Sequence, residues 1–471
     1  MKLTKPNGFA ARNRFRLWLA GASAGTLIAA CASSPAEPSP TPPPPPPPVV
    51  DSRTPPPPPP APAEPTYAVS FPAPPRTQTG AIDFTPTDNP EFNAWRESFA
   101  ARAEAQGRSP GAIYELLKDV EAPEPTFATA RSAVDEQAEF ADPIWTYVTR
   151  RVTDSNVSRG QTKMATFDSF FDEMETRLQV DRSAVAAIWG METNFGGFMG
   201  NFDAAQQFAN LVFERADRKA FWESQLIGLL KIMENGEARK DQFIASWAGA
   251  MGQTQFMPTT FNAYAIDFDG DGNKDVWTSE EDALGSAANY LKASGYQFGQ
   301  PWGLEVSLPA GFDYGLADGE DRRISSWKNL GLAPIRGGSF SVADTEYAEL
   351  WLPAGAEGPA LLLFKNFDVF MTYNRARSYA LAVGVWSDRL RGEPGLVTPW
   401  PTHIGQLSKA EVRILQQALT DLGYDPKGVD GIIGTNTRKA LQAFQKDQGI
   451  PADGYPSGAA LDAVLAVLNA G

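Results

Sequence analysis

Glu192 is the residue whose surroundings most invite chemistry. It lies in Trp189-Gly190-Met191-Glu192-Thr193-Asn194-Phe195-Gly196-Gly197-Phe198, where one carboxylate interrupts a run of apolar and small residues. Desolvation disfavours an ionised carboxylate and raises its pKa, so an acid in such a setting can hold its proton near neutral pH. That property suits general acid catalysis of glycosidic bond cleavage. The competing reading is a buried Glu paired with Arg or Lys, because ion-pair networks also perturb carboxylates.

The element that must position this acid is a helix. Asp181 and Ser183 are candidate N-caps, Val185, Ile188, Trp189 and Glu192 share one face at spacings of three and four, and Gly196 is a candidate stop. Glu192 thus continues an apolar stripe. Residues 246–258, Ser246-Trp247-Ala248-Gly249-Ala250-Met251-Gly252-Gln253-Thr254-Gln255-Phe256-Met257-Pro258, mix small, aromatic and uncharged polar residues. Sugars bring hydroxyls and apolar ring faces, and their pockets mix the same elements. Asn289-Tyr290-Leu291, Asn366-Phe367 and Tyr373-Asn374-Arg375-Ala376-Arg377-Ser378-Tyr379-Ala380 follow. Singly each reads as core or loop; their order after the Glu192 helix carries the information.

In that order the chain resembles the membrane-bound lytic transglycosylases of the B type. The matching pieces are Gly190-Met191-Glu192-Thr193-Asn194-Phe195-Gly196, Ala248-Gly249-Ala250-Met251-Gly252, Gln255-Phe256-Met257-Pro258, Asn289-Tyr290-Leu291, and Tyr373-Asn374 ahead of Tyr379-Ala380. The resemblance spans residues 85–395. It implies a lysozyme-like, mostly helical catalytic domain that cleaves peptidoglycan glycan strands between N-acetylmuramic acid and N-acetylglucosamine without water, leaving 1,6-anhydro ends. Ordinary glycosidases need two carboxyl groups flanking the bond. In this family one group serves twice, so Glu192 is expected to protonate the leaving oxygen and then take the proton of the C6 hydroxyl. The resemblance also implies that Ser246 and Gln255 sit near Glu192 and the sugar, and that Tyr147, Tyr290, Tyr373 and Asn374 line subsites or orient acetamido groups. Asn194 departs from the pattern, since many relatives carry Arg there.

Asp267-Phe268-Asp269-Gly270-Asp271-Gly272-Asn273 opens like an EF-hand loop, with oxygen ligands at positions one, three and five, Gly at six, and the Asn273 carbonyl available at seven. Position twelve is Thr278, so the usual bidentate Glu is missing, and Glu280, Glu281 and Asp282 lie further along. The family resemblance implies an extended loop closed by Asp282 or Glu281. The expected ligands are therefore Asp267, Asp269, Asp271, Asn273 and Asp282, holding a structural calcium, with a metal-free acidic turn as the alternative. No organic cofactor is expected.

Lys2, Lys5, Arg12, Arg14 and Arg16 precede an apolar run that ends in Ile28-Ala29-Ala30-Cys31, the layout of a secretory signal over residues 1–30. Cys31 is the only cysteine. Its position resembles the lipobox of bacterial lipoproteins, which implies lipidation at Cys31 and anchorage in the envelope of a Gram-negative bacterium. Ala32 follows it, which favours the outer membrane. Residues 31–80 include Pro42 to Pro48 and Pro55 to Pro60, a tether that prefers extended polyproline conformation at about 3.1 Å per residue. Loss of residues 1–30 moves the formal charge from −15 to −20, which makes nucleic acid a poor partner.

The last 70 or so residues form a second unit after the linker Arg391-Gly392-Glu393-Pro394-Gly395. Ser408-Lys409-Ala410-Glu411 is a capping box opening a helix with Val412, Leu415, Leu419 and Leu422. Asp430-Gly431 precedes a second helix, and a weaker echo at Asp453-Gly454 leads to a third. This resembles the three-helix peptidoglycan-binding domain of cell-wall enzymes. One His and one Cys in the chain argue against a Ser-His-Asp triad, a Cys-His dyad or a zinc site. The expected fold is thus mainly α: a lysozyme-like domain over 85–395 with a small irregular or β calcium-loop region, then a three-helix wall-binding domain over 400–471. Peptidoglycan strands and the membrane are the expected partners, with cell-wall synthesis or division proteins as further candidates. A muramidase-type hydrolase and a non-catalytic wall-binding scaffold are the alternatives.

Overall fold

The computed structural model of the protein describes residues 69–123 and 143–470. The expected signal segment, Cys31 and the tether up to residue 68 lie outside the described residues. Residues 69–80, which composition assigns to the tether, pack against the body of the molecule. Arg76 bridges Ile82 and pairs with Glu104 at 2.9 Å. Phe71 and Pro72 press onto Gly111 so closely that a Cβ there would lie 2.4 Å from the Pro72 carbonyl oxygen. Helices Pro90–Ala105 and Pro110–Leu117 follow, each started by a side-chain cap, Asn89 or Ser109, ahead of a proline at the first helical position.

Helix Arg182–Thr193 runs through the main core, and every residue from Ser183 to Thr193 is buried. Its local design differs from the periodicity argument at both ends. Asp181 occupies the N-cap, but its carboxylate accepts from the Tyr296 hydroxyl at 2.8 Å and the Gly299 N–H at 3.2 Å. Ser183 lies inside the helix and shares a hydrogen bond with Ser387. The helix closes at Asn194, not Gly196: Asn194, Phe195 and Gly196 have φ of +54°, +62° and +75°. Helix Arg377–Leu390 packs across it at Gly190, where a Cβ would stand 2.7 Å from the Trp386 ring and 2.8 Å from that of Phe195. Only glycine lets the two helices approach so closely.

Two strands, β1 (Phe202–Asp203) and β2 (Ile244–Ala245), pair antiparallel beside the loop that follows this helix. A larger sheet lies at 303–363 and comprises β3 (Gly303–Ser307), β4 (Asp321–Arg323), β5 (Ala333–Pro334), β6 (Tyr347–Trp351) and β7 (Ala360–Leu363). Its order is β4-β6-β7-β3-β5, all antiparallel, with Gly303 opposite Leu363. Val306, Ile324, Trp327, Leu350 and Leu362 give it a core of its own.

The C-terminal module has three helices, Lys409–Asp421, Thr435–Asp447 and Gly458–Ala470, around Leu415, Leu419, Leu441, Phe444 and Val464. Ser408 and Glu411 form the reciprocal capping box. The chain is mainly helical, as its patterning predicts. Among the described residues no helix is long and apolar enough to cross a membrane.

Candidate active site

Glu192 sits on the last turn of helix Arg182–Thr193 and is 5 % exposed. The Tyr379 hydroxyl, from helix Arg377–Leu390, donates to its Oε1 at 2.6 Å. Burial, and then the charge of Glu192, hold the Tyr379 phenol well above the usual tyrosine value, so it stays protonated and keeps donating. Tyr147 and Tyr373 also act electrostatically on Tyr379, and Glu192 acts on Tyr373, which is likewise pushed up by burial. Tyr379 and Tyr373, from helices Arg377–Leu390 and Lys365–Tyr373, thus face the acid, and Tyr147 of helix Ile144–Arg151 lies near Tyr379. Tyr147 is buried, with the Arg151 guanidinium 5.3 Å from its ring centroid, and Tyr373 donates to the Thr254 carbonyl at 2.7 Å.

The loop at Gln253 locks the acid's end of the helix. Trp189 Nε1 donates to Gln253 Oε1 at 3.0 Å, and Thr193 Oγ1 donates to the Gln253 carbonyl at 2.6 Å. Asn194, the departure from the family pattern, caps the helix in left-handed conformation and accepts from Arg159. Asn tolerates that conformation better than most side chains do.

Ser246 and Gln255 flank the loop that follows. Ser246 Oγ accepts from the Ala250 N–H at 3.2 Å and so closes its own turn, while the backbone at Ala245 and Ser246 lies hard against Gly200. Gln255, with φ +54°, donates to the carbonyls of Gly252 at 3.0 Å and Met199 at 3.3 Å. Its buried Oε1 has no hydrogen-bond partner among the described residues. Asn374 has the same character: its Oδ1 accepts from the Ala376 N–H at 3.0 Å, and its buried Nδ2 has no hydrogen-bond partner among the described residues. Leaving such groups unpaired costs about 1–3 kcal/mol each, so they are suited to a polar ligand. Tyr290 packs in tilted contact with Tyr264 and Tyr373 at centroid distances of 4.6 and 5.4 Å and donates to the Thr372 carbonyl at 2.9 Å. The half-buried rings of Tyr264 and Tyr290 supply an apolar wall of the kind a sugar face covers. Sequence reasoning missed Tyr379 and Gln253 as functional residues, although both lie within stretches it had singled out.

The acidic loop forms a second cluster. Carboxylate oxygens of Asp267, Asp269, Asp271 and Asp282 all lie within 4.8 Å of one another. Oxygens on opposite sides of a calcium ion stand about 4.6–5.2 Å apart, twice the usual bond length, so this spread fits one shared cation. Asp282 is wholly buried on the first turn of helix Glu280–Ala293 and accepts from the N–H groups of Phe268 at 2.7 Å, Asp275 at 2.8 Å and Asp269 at 3.3 Å. Burial pushes it up to about 6, against those donors. Asn273 donates its backbone N–H to Asp271 at 2.8 Å. Thr278, the misplaced twelfth position, hydrogen-bonds Asp275, which also accepts from the N–H groups of Trp277 and Thr278. Asp275 therefore folds the extra length of the loop.

The model of the transglycosylase SLT domain matches residues 91–388, which include the buried acid, its tyrosines and the acidic loop. The chain belongs to this family. A peptidoglycan binding domain model matches residues 408–464. The chain is 30 % identical to the membrane-bound lytic murein transglycosylase B of Escherichia coli (strain K12) over 243 residues, half of this chain and 64 % of that protein. It thus spans just under two thirds of that curated relative. Its fold is similar to that of SltB3 from Pseudomonas aeruginosa, solved in complex with NAG-anhNAM-pentapeptide: 44 % identity, TM-score 0.74, covering 79 % of this chain and 99 % of the other. The soluble lytic transglycosylase SltB1 of the same organism is 25 % identical with TM-score 0.54, covering 63 % and 99 %.

Proposed function

We propose that the protein is a lytic transglycosylase that cleaves the β-1,4 bond between N-acetylmuramic acid and N-acetylglucosamine in peptidoglycan. The observation that carries this reading is the buried Glu192 carboxyl, held by the Tyr379 hydroxyl and near enough to Tyr373 to act on it. Glu192 first gives its proton to the glycosidic oxygen, and the bond from that oxygen to muramic C1 breaks. The muramic C6 oxygen then bonds to C1, and its proton returns to the Glu192 carboxylate, which regenerates the acid and consumes no water. Gln255 and Asn374 pair with sugar amides and hydroxyls, Tyr147, Tyr290 and Tyr373 line subsites, and Ser246 shapes the loop beside the acid.

Asp267, Asp269, Asp271, Asp282 and the Asn273 carbonyl hold calcium, which supplies rigidity to the loop and takes no part in bond cleavage. A related fold, the Escherichia coli lytic transglycosylase Slt35, has been solved in complex with calcium. Cys31 carries a lipid anchor to the outer membrane, residues 32–68 act as the tether in the periplasm, and the C-terminal module binds the wall.

Digestion of purified sacculi by the protein and its Glu192→Gln variant, with products resolved by mass, tests the reading. Anhydro ends made only by the unmodified protein support it. Reducing ends identify a muramidase, and wall binding without release identifies a scaffold.

A further inference from the structure

The C-terminal module contains two copies of one hydrogen-bonded loop. Gln416 Nε2 donates to Asp430 Oδ1 at 2.9 Å, Gln416 Oε1 accepts from the Gly431 N–H at 2.9 Å, and Asp430 Oδ1 accepts from the Ile432 N–H at 2.8 Å. Gln445 holds residues 453–455 identically: 2.9 Å to Asp453 Oδ1, 2.7 Å from the Gly454 N–H, and 2.9 Å from the Tyr455 N–H to Asp453. Both glycines have positive φ, +79° and +64°.

The copies differ in what covers them. Asp453 uses its other oxygen, Oδ2, to accept the backbone N–H of Ala356 at 2.8 Å. Tyr455 packs beneath the same segment, so that a Cβ on Gly355 would lie 2.8 Å from Tyr455 Cβ and 2.7 Å from Asp453 Oδ2. The second loop thus grips a backbone of small residues from the sheet domain. In the first loop Asp430 is exposed, and Ile432, the counterpart of Tyr455, is 63 % exposed. Asp430 Oδ2 has no hydrogen-bond partner among the described residues, and the stems of Lys409 and Arg413 lie against Gly431.

We propose that this uncovered loop binds the stem peptide of peptidoglycan as its twin binds Gly355 and Ala356. A stem peptide offers what the twin's occupant offers, a backbone N–H flanked by alanine-sized side chains, and adds carboxylates that complement Lys409 and Arg413. Asp430 Oδ2 accepts the N–H, and Ile432 covers the methyl groups. The inference rests on reading the module as wall-binding.

The test uses the full chain carrying Glu192→Gln, with soluble peptide-free glycan added to fill the cleft. Asp430→Asn keeps the Oδ1 acceptor and reverses the exposed atom from acceptor to donor; Ile432→Asp alters a side chain already in water. Asp430→Asn is expected to weaken retention on sacculi by about tenfold or more, the loss of a hydrogen bond to a charged group, and Ile432→Asp by roughly fivefold, the loss of a partly buried apolar contact. A synthetic stem peptide without sugars is expected to shift the Ile432 methyl resonance saturably. Unchanged retention, or no methyl shift, overturns the peptide site. Failure of the parent protein to be retained overturns the wall-binding reading beneath it.

Discussion

Tyr379→Phe isolates the contact on which the active-site argument depends. The substitution removes one hydroxyl and keeps the ring, so the packing of helix Arg377–Leu390 against the acid helix stays. The lost bond is 2.6 Å long, its acceptor is ionisable, and the Tyr379 side chain is 0 % exposed, so bulk water cannot replace the donor. Hydrogen bonds to charged groups are worth about 1.5–3 kcal/mol. At 1.36 kcal/mol per decade, kcat/KM is expected to fall roughly tenfold to 150-fold. The pH profile separates this from a general loss of fold. A donor to the carboxylate favours its ionised form, and its removal favours the protonated form. The reaction begins with protonated Glu192, so activity is lost on the alkaline side as that group ionises. The alkaline limb of the variant's profile should therefore move to higher pH while its maximum falls. Steady-state release of anhydro-muropeptides across pH measures both. A variant within twofold of the parent, with an unmoved limb, would refute the positioning role of Tyr379.

Glu192→Gln keeps the volume of the buried acid and should lower product release by at least about 10²–10⁴, read by muropeptide mass, with an unchanged far-UV spectrum. Calcium at about one hundred times its dissociation constant should stabilise the protein by about 2.7 kcal/mol, seen as a rise in melting temperature that chelator reverses and that Asp269→Asn largely removes. Gly190→Ala drives a Cβ into the Trp386 and Phe195 rings and should cost about 1–3 kcal/mol in urea denaturation. Gly355→Ala adds a side chain at φ +72° against Asp453 and Tyr455 and should detach the C-terminal module, read as faster proteolysis between residues 391 and 407.

Much of this site was legible because local chemistry and family order agreed. Periodicity alone places Glu192 on the buried stripe of its helix, and the DxDxDG opening gathers three of the four clustered carboxylates. Nothing local marks Tyr379 as functional, because its contact with Glu192 spans 187 residues and an aromatic on a helix reads as core. Asp181 and Ser183 fit the chemistry of caps, but tertiary partners, Tyr296 and Ser387, claim their side chains. The proline content of residues 69–80 hid their docking onto Gly111, since composition reports what a segment cannot form alone and says nothing of the surface it meets. The five-stranded sheet escaped for a related reason: strands of two to five residues carry too little alternation to register.

The burial of all residues from Ser183 to Thr193 also bears on how the molecule opens. Native proteins unlock in cooperative units, and amides in the most buried elements exchange with solvent only when the whole domain unfolds. The amides of residues 186–191 are expected in that slowest class, and those of the exposed stretch 269–273 of the acidic loop in a faster one. The acid is thus mounted on the last piece to come apart.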